Sequence, residues 1–151
     1  MRILGINAYH ADVSAVLIEN GHLVTALEEE RFRRVKHYAG FPTLAIQRCL
    51  EAGGISGRDV DHVAISRDPR AYLLRKAIYA LTRGQSIGSM RGRVKNLEKV
   101  RELRTPLAAA LGVGPREVPQ LHFVEHHPAH LASAFFVSPF EIGRASCRER
   151  V

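Results

Sequence analysis

From Arg2 to Glu28 three β-type runs succeed one another with little between them, and few folds accept such a start. RILGIN (2–7) and VSAVLIE (13–19) are rich in β-branched and alternating apolar residues, and Asn20-Gly21 then turns the chain into HLVTALEEE. An Asn-Gly pair between two such runs is a strong hairpin signal, because both central residues of a type I′ turn need positive φ. Three consecutive antiparallel strands, 2–7, 13–19 and 22–28, are therefore expected in one sheet.

Beyond Glu28 the period changes. In FPTLAIQRCLEAGG, Pro42 and Thr43 open a helix, Leu44, Ile46 and Leu50 lie inside it, and Gly53-Gly54 close it. VDHVAIS (60–66) reads as a short buried strand, and AYLLRKAIYALTR is helical by its 3.6-residue period. A looser basic region comes after Gly84, with helix candidates at 92–104 and 106–111. QLHFVEHH then reads as a strand adjoining the sheet through 120–125, and PAHLASAFFV as a helix with Pro128 suited to its first turn. The order β-β-β-α-β-α-β-α predicts an α/β fold with a mixed sheet, three antiparallel strands continuing into parallel βα units. This is the pattern of the ribonuclease-H-like lobe shared by actin, sugar kinases and heat-shock ATPases.

Length and composition fit one such lobe. At 151 residues and 46% hydrophobic the chain can bury a real core. No apolar run approaches the roughly 20 residues that span a bilayer, and the start lacks a charged stretch feeding an apolar block. Two cysteines, Cys49 and Cys147, make neither a disulfide framework nor a zinc signature, so a reducing, cytoplasmic setting is expected. The formal charge of +7 needs auditing. The final segment EIGRASCRERV (141–151) resembles the translation of a sequencing adapter, and from position 142 it adds Arg144, Arg148 and Arg150 against Glu149. Residues 1–140 are accordingly read as an incomplete lobe and 141–151 as a non-native tail. A fold cut short is expected to expose a face rich in Leu, Val and Phe.

Three segments carry chemistry. GINAYHADVSAVLIENG places Asn7, His10, Asp12 and Ser14 between two strands, where turn amides offer donors to an anion; the plain alternative is an ordinary turn. In ALEEERFRRVKHYAGFP, three carboxylates precede Arg31, Arg33, Arg34 and Lys36, suited to a phosphate or carboxylate, or else a solvated charge run. In EHHPAHLASAFF, His126 and His130 stand four apart, as on a metal-binding helix face. Pro128 biases the residue before it away from the α region, so His126 is expected at the strand's end rather than in the helix, with His127 extended or capping. The alternative for this segment is one capping, one packed and one solvated histidine. Region 67–104 holds eleven Lys/Arg against three Asp/Glu, as a nucleic-acid patch would. Its aromatics, Tyr72 and Tyr79, fall at helical spacing, so a solvated helix pair is the default and nucleic acid is not the expected partner.

Together and in this order, GINAYHADVSAVLIENG, EEERFRRVKHYAGFP and VEHHPAHLASAFF resemble the N-terminal lobe of the O-carbamoyltransferases of the nodulation-factor and antibiotic type, over residues 1–140. The resemblance implies an enzyme that uses carbamoyl phosphate and ATP to form carbamoyl-adenylate, then passes the carbamoyl group to a small-molecule hydroxyl, often on a sugar. It implies a divalent metal, iron, on His126 and His130. It puts His10 and Lys36 at the carbamoyl-transfer site, with Asn7, Asp12, Ser14 and Arg31 toward substrate or phosphate. Val13 stands where family members often have a small polar residue. The second lobe and the adenylate-forming domain would lie beyond residue 140, leaving this piece inactive alone. Two other readings stay open: a threonylcarbamoyl-type tRNA-modifying relative, and a basic nucleic-acid-binding module.

Overall fold

Strand pairing starts where the Asn-Gly signal places it. In the computed structural model, which describes residues 1–10, 12–66 and 103–138, Asn20 and Gly21 take φ of 52° and 85°, and β2 (Ser14–Glu19) folds back as β3 (His22–Glu28). Strand β1 (Arg2–Asn7) pairs antiparallel with β2, from Arg2 opposite Glu19 to Asn7 opposite Ser14. The β2–β3 register shifts between Leu17 and Ile18, a bulge that leaves Val24 outside the ladder. Strand β4 (His62–Ile65) joins β1 in parallel and β5 (Gln120–Phe123) joins β4 in parallel, so the sheet reads β3-β2-β1-β4-β5. The five expected strands are all present, with ends trimmed by up to two residues.

Alternation along the strands sorts the two faces. Leu4, Ile6, Ala15, Leu17, Val63 and Ile65 point to one side and are buried. They pack against α2 (Thr43–Gly53), through Ala45, Ile46, Cys49 and Leu50, and against α3 (Arg104–Leu111), through Leu107, Ala108, Ala110 and Leu111. Helices α2 and α3 end as expected for glycine stops, with Gly54 and Gly112 at φ 61° and 66° donating back to the last carbonyls. Gly57, in the 3-10 turn Gly57–Asp59, is required for a different reason: a Cβ there would run into the Leu111 carbonyl. The expected helices AYLLRKAIYALTR and, apart from its end, 92–104 lie outside the described residues, as do the basic region between them and the tail 141–151.

The other sheet face carries Ile3, Gly5, Asn7, Ser14, Val16 and Ile18, and across it lies α4 (His126–Phe136). Helix α4 buries none of its residues, and an open groove of about 1050 Å³ separates it from the strands. Phe136 and Val137 are exposed at this groove, as is Leu23 on β3, and Phe135 and Val24 are exposed as well. Among the described residues no helix is long and apolar enough to cross a membrane.

Two elements differ from expectation. The first is α1 (Glu30–Arg33), one helical turn inside what reads as a basic loop, ended by Arg34 at φ 59°. The second is the start of α4: His126 is its first residue, not the end of a strand, because β5 stops at Phe123 and Glu125 takes the extended cap position (φ −63°, ψ 143°). Pro128 then falls third in the helix, where a backbone N–H has no intrahelical acceptor and the ring costs no bond. His127 does not cap; the helix start has no side-chain cap bond.

Candidate active site

The site is assembled at one end of the sheet, where β1 and β4 finish, β2 begins and α4 starts. Ligand crevices in sheets with parallel strands form outside the strands' carboxyl ends, and three loops meet there. In the hairpin that joins β1 to β2, Tyr9 and Asp12 are both left-handed, at φ 57° and 64°. A bulky tyrosine in that region is strained and must be held by its surroundings. Here its N–H donates to the Gly40 carbonyl at 2.8 Å, and its ring lies 6.2 Å from that of Phe41. Asn7 ties the hairpin from below, its Nδ2 donating to the Asp12 carbonyl at 3.2 Å while its Oδ1 accepts from Ser66 Oγ at 3.1 Å.

The charged run after β3 does what neither sequence reading foresaw. Glu29 is 0% exposed. Its carboxylate accepts from the backbone N–H groups of Leu44 (3.3 Å) and Ala45 (2.8 Å) in the first turn of α2, and from Arg33 Nε at 2.7 Å. Since α2 has Pro42 at its cap position and no side-chain cap of its own, Glu29 supplies the missing acceptor from another element, and its charge suits the positive helix end. Arg33 in turn lies 4.6 Å over the Tyr38 ring. The Glu29 N–H also donates to the Val13 carbonyl at 2.9 Å, so one residue links the hairpin, the charged loop and α2. The helix N-terminus is thereby occupied from within and offers no anion site. Arg31 pairs with Glu28 at 3.3 Å in solvent. Among the described residues Arg34 and Lys36 make no ion pair, which leaves two cations facing water on this loop.

The histidines of α4 come together. His126 Nε2 and His130 Nε2 are 3.2 Å apart with rings near perpendicular, at 86°. Two imidazole nitrogens each 2.0–2.1 Å from one ion and separated by this distance subtend about 100°, between octahedral and tetrahedral bites. The pair therefore fits one divalent metal as two of its ligands. Among the described residues no group of three or more His, Cys, Asp or Glu side chains is gathered to complete it. His10, between β1 and β2, lies beside the pair, its ring 6.3 Å from that of His126.

Of the residues singled out by sequence, Asn7, Ser14, Arg31, His126 and His130 line one groove, together with Ser66, which no motif had marked. His10 stands at its rim beside His126. Asp12 and Lys36 do not line it. The Asp12 carboxylate instead meets His37 Nδ1 at 3.2 Å, an exposed link between the hairpin and the charged loop. Lys36 sits exposed one residue before that link.

Known proteins resemble this chain along most of its length. Residues 2–147 match the family described as carbamoyltransferase N-terminus. The chain is 37% identical over 155 aligned positions to the protein sll1178 of Synechocystis, covering 99% of this chain and 25% of that protein. It is 34% identical over 137 positions to the nodulation protein NolNO of Sinorhizobium fredii, covering 89% of this chain and 19% of that one. Among solved structures, YeaZ from Pseudomonas aeruginosa superposes with a TM-score of 0.39 at 16% identity, over 89% of this chain and 50% of its own. The chain thus spans a quarter or less of the curated relatives it matches across most of its length. Its residues belong to the carbamoyltransferase family and correspond to that family's N-terminus.

Proposed function

We propose that this chain is the first lobe of an O-carbamoyltransferase, built on a ribonuclease-H-like, actin-type sheet. In the whole protein, water would release phosphate from carbamoyl phosphate, the carbamate would displace pyrophosphate from ATP to give carbamoyl-adenylate, and the carbamoyl group would pass to a hydroxyl of a sugar or natural product with AMP leaving. The sheet order β3-β2-β1-β4-β5, three antiparallel strands running into two parallel ones, supports the fold reading. The observation that carries the functional one is the meeting of His10 with the His126–His130 pair, by residues from opposite ends of a family-matched chain.

In this reading His126 and His130 hold a divalent metal, iron, which when bound polarises phosphate or carbonyl oxygen. His10, on the hairpin facing that pair, takes the proton of the acceptor hydroxyl. Asn7 is held by Ser66 and by the Asp12 carbonyl, so it presents a fixed amide at the groove mouth, with the Ser14 hydroxyl opposite it in the β1–β2 register. Arg31 and Lys36 supply positive charge toward phosphate, Arg31 from the groove wall and Lys36 from the loop that the Asp12–His37 contact keeps near the hairpin.

The test is pyrophosphate release from ATP in a protein that joins this chain to the remaining length its relatives have. Release that depends on carbamoyl phosphate is expected, falling at least about a hundredfold in His130→Ala, while His10→Ala should keep it and instead lose carbamoyl transfer to an added hydroxyl acceptor by a similar factor. Release indifferent to carbamoyl phosphate would overturn the reading.

A further inference from the structure

The molecule holds a second pair of imidazoles with nearly the same separation. His62, the first residue of β4, and His122, on β5, lie on the α4 side of the sheet. His122 Nε2 approaches His62 Nδ1 to 3.1 Å, and the rings stand edge to face at 74°, centroids 5.0 Å apart. Neither imidazole has a carboxylate or cationic partner among the described residues; each has the other. The pair sits apart from His126 and His130, since His62 pairs with Ile3 near the start of β1 while those two lie past the ends of the parallel strands.

Two neutral imidazoles in contact can satisfy only one nitrogen of each, with one ring donating and the other accepting. If the donor ring moves its proton to its other nitrogen through solvent, both facing nitrogens become lone pairs and no net proton is lost. A nitrogen separation of 3.1 Å then subtends about 98° at an ion 2.0–2.1 Å from each, the bite of a bidentate ligand pair. His62 is half-buried and His122 exposed, so solvent can complete the coordination shell. The ligand chemistry, two imidazoles and water, suits borderline divalent ions such as Zn²⁺, Ni²⁺ or Cu²⁺.

We infer that His62 and His122 form a second, two-histidine site for a borderline divalent cation, one that bridges β4 to β5. The consequence is mechanical. Among the described residues strand β5 pairs with one neighbour, through four register pairs, and leads into the helix that carries His126. An ion held across β4 and β5 adds a link that the unfolded chain lacks, so binding stabilises the sheet edge under α4.

The experiment uses the 151-residue chain with ZnCl₂ as probe. In a His126→Gln/His130→Gln background, calorimetry is expected to show one zinc bound per chain and a melting point that rises with zinc. Adding His62→Gln or His122→Gln should abolish both effects. Because the His122 ring is exposed, the apo His122→Gln variant should melt with the background. In the unsubstituted chain, ring NMR signals of His62 and His122 should shift together on zinc addition, a readout that needs no variant. A background chain that binds no zinc, or zinc binding that survives loss of both His62 and His122, overturns the inference. Neither result bears on carbamoyl transfer, which the proposed function assigns to other residues.

Discussion

At the scale of single residues, Glu29 shows where sequence reasoning stops. EEERFRR offers three consecutive carboxylates, and nothing in the run says which one turns inward. The answer comes from α2, fifteen residues later, whose start has Pro42 in place of a capping side chain and takes its acceptor from Glu29. Removing that carboxylate leaves two helix N–H groups and a guanidinium facing a void. Glu29→Ala should therefore lose about 3 kcal/mol in urea unfolding, against about 1 kcal/mol for Glu29→Gln, which keeps an acceptor. Arg33→Ala should cost less than Glu29→Ala, because Arg33 is partly solvated and the backbone donors still hold the carboxylate. If Arg33→Ala proved the more damaging, the ion pair rather than the helix cap would be the main contribution. Cys49 is the opposite case. It lies between Ile46 and Leu50 of the amphipathic helix signal, and it is buried, its thiol pushed up to about 11 by burial. Peptide mapping after alkylation at about pH 8 should find Cys49 unmodified in the native chain and modified in denaturant.

At the scale of elements, the histidine segment separates what a rule of pairs can see from what a helix decides. The i, i+4 spacing of His126 and His130 promises one shared face, and Pro128 argues against it, because the residue before proline avoids the α region. The helix wins because the first turn tolerates proline and Glu125 takes the extended position in place of His127. The competing rule is overridden here: His127, the residue before Pro128, is helical, and the extended position falls two residues earlier, at Glu125. Pro128→Ala should then leave both the helix and metal retention nearly unchanged in a full-length protein. His130→Ala should abolish retention and His127→Ala should leave most of it, read as metal per protein after gel filtration. Loss of metal in His127→Ala equal to that in His130→Ala would mean the ligand pair is misassigned. The Asn-Gly hairpin and the glycine stops, by contrast, are legible because backbone geometry at those positions selects the residue directly.

At the scale of the whole molecule, alternation and turn signals carry the sheet, since a strand's side-chain period decides which face it buries. Ser66 escapes because its role exists only where the end of β4 meets the end of β1, a junction of residues fifty-nine apart. The same long-range joints should set how stability depends on pH. Asp59 has its pKa lowered by side-chain and backbone hydrogen bonds from Ser56, which hold the 3-10 turn before β4. Glu117 is lowered first by the Gly114 N–H, and then by Arg58 across from α3's exit. A carboxylate depressed on folding stabilises the fold above its unfolded pKa, about 4, and that contribution fades as pH falls through the folded value. Cys49 acts at the other end: a thiol raised on folding contributes fully below its unfolded pKa, about 8.5, and loses that contribution as pH climbs toward about 11. Urea midpoints should thus form a plateau between about pH 5 and 8, with an acid limb below and an alkaline limb above. Asp59→Asn and Glu117→Gln should lower the plateau and flatten the acid limb while leaving the alkaline limb in place. Cys49→Ala should flatten the alkaline limb alone, at the cost of a small cavity that lowers the plateau throughout. An alkaline limb unchanged in Cys49→Ala would assign it to another group and remove the buried thiol from the account.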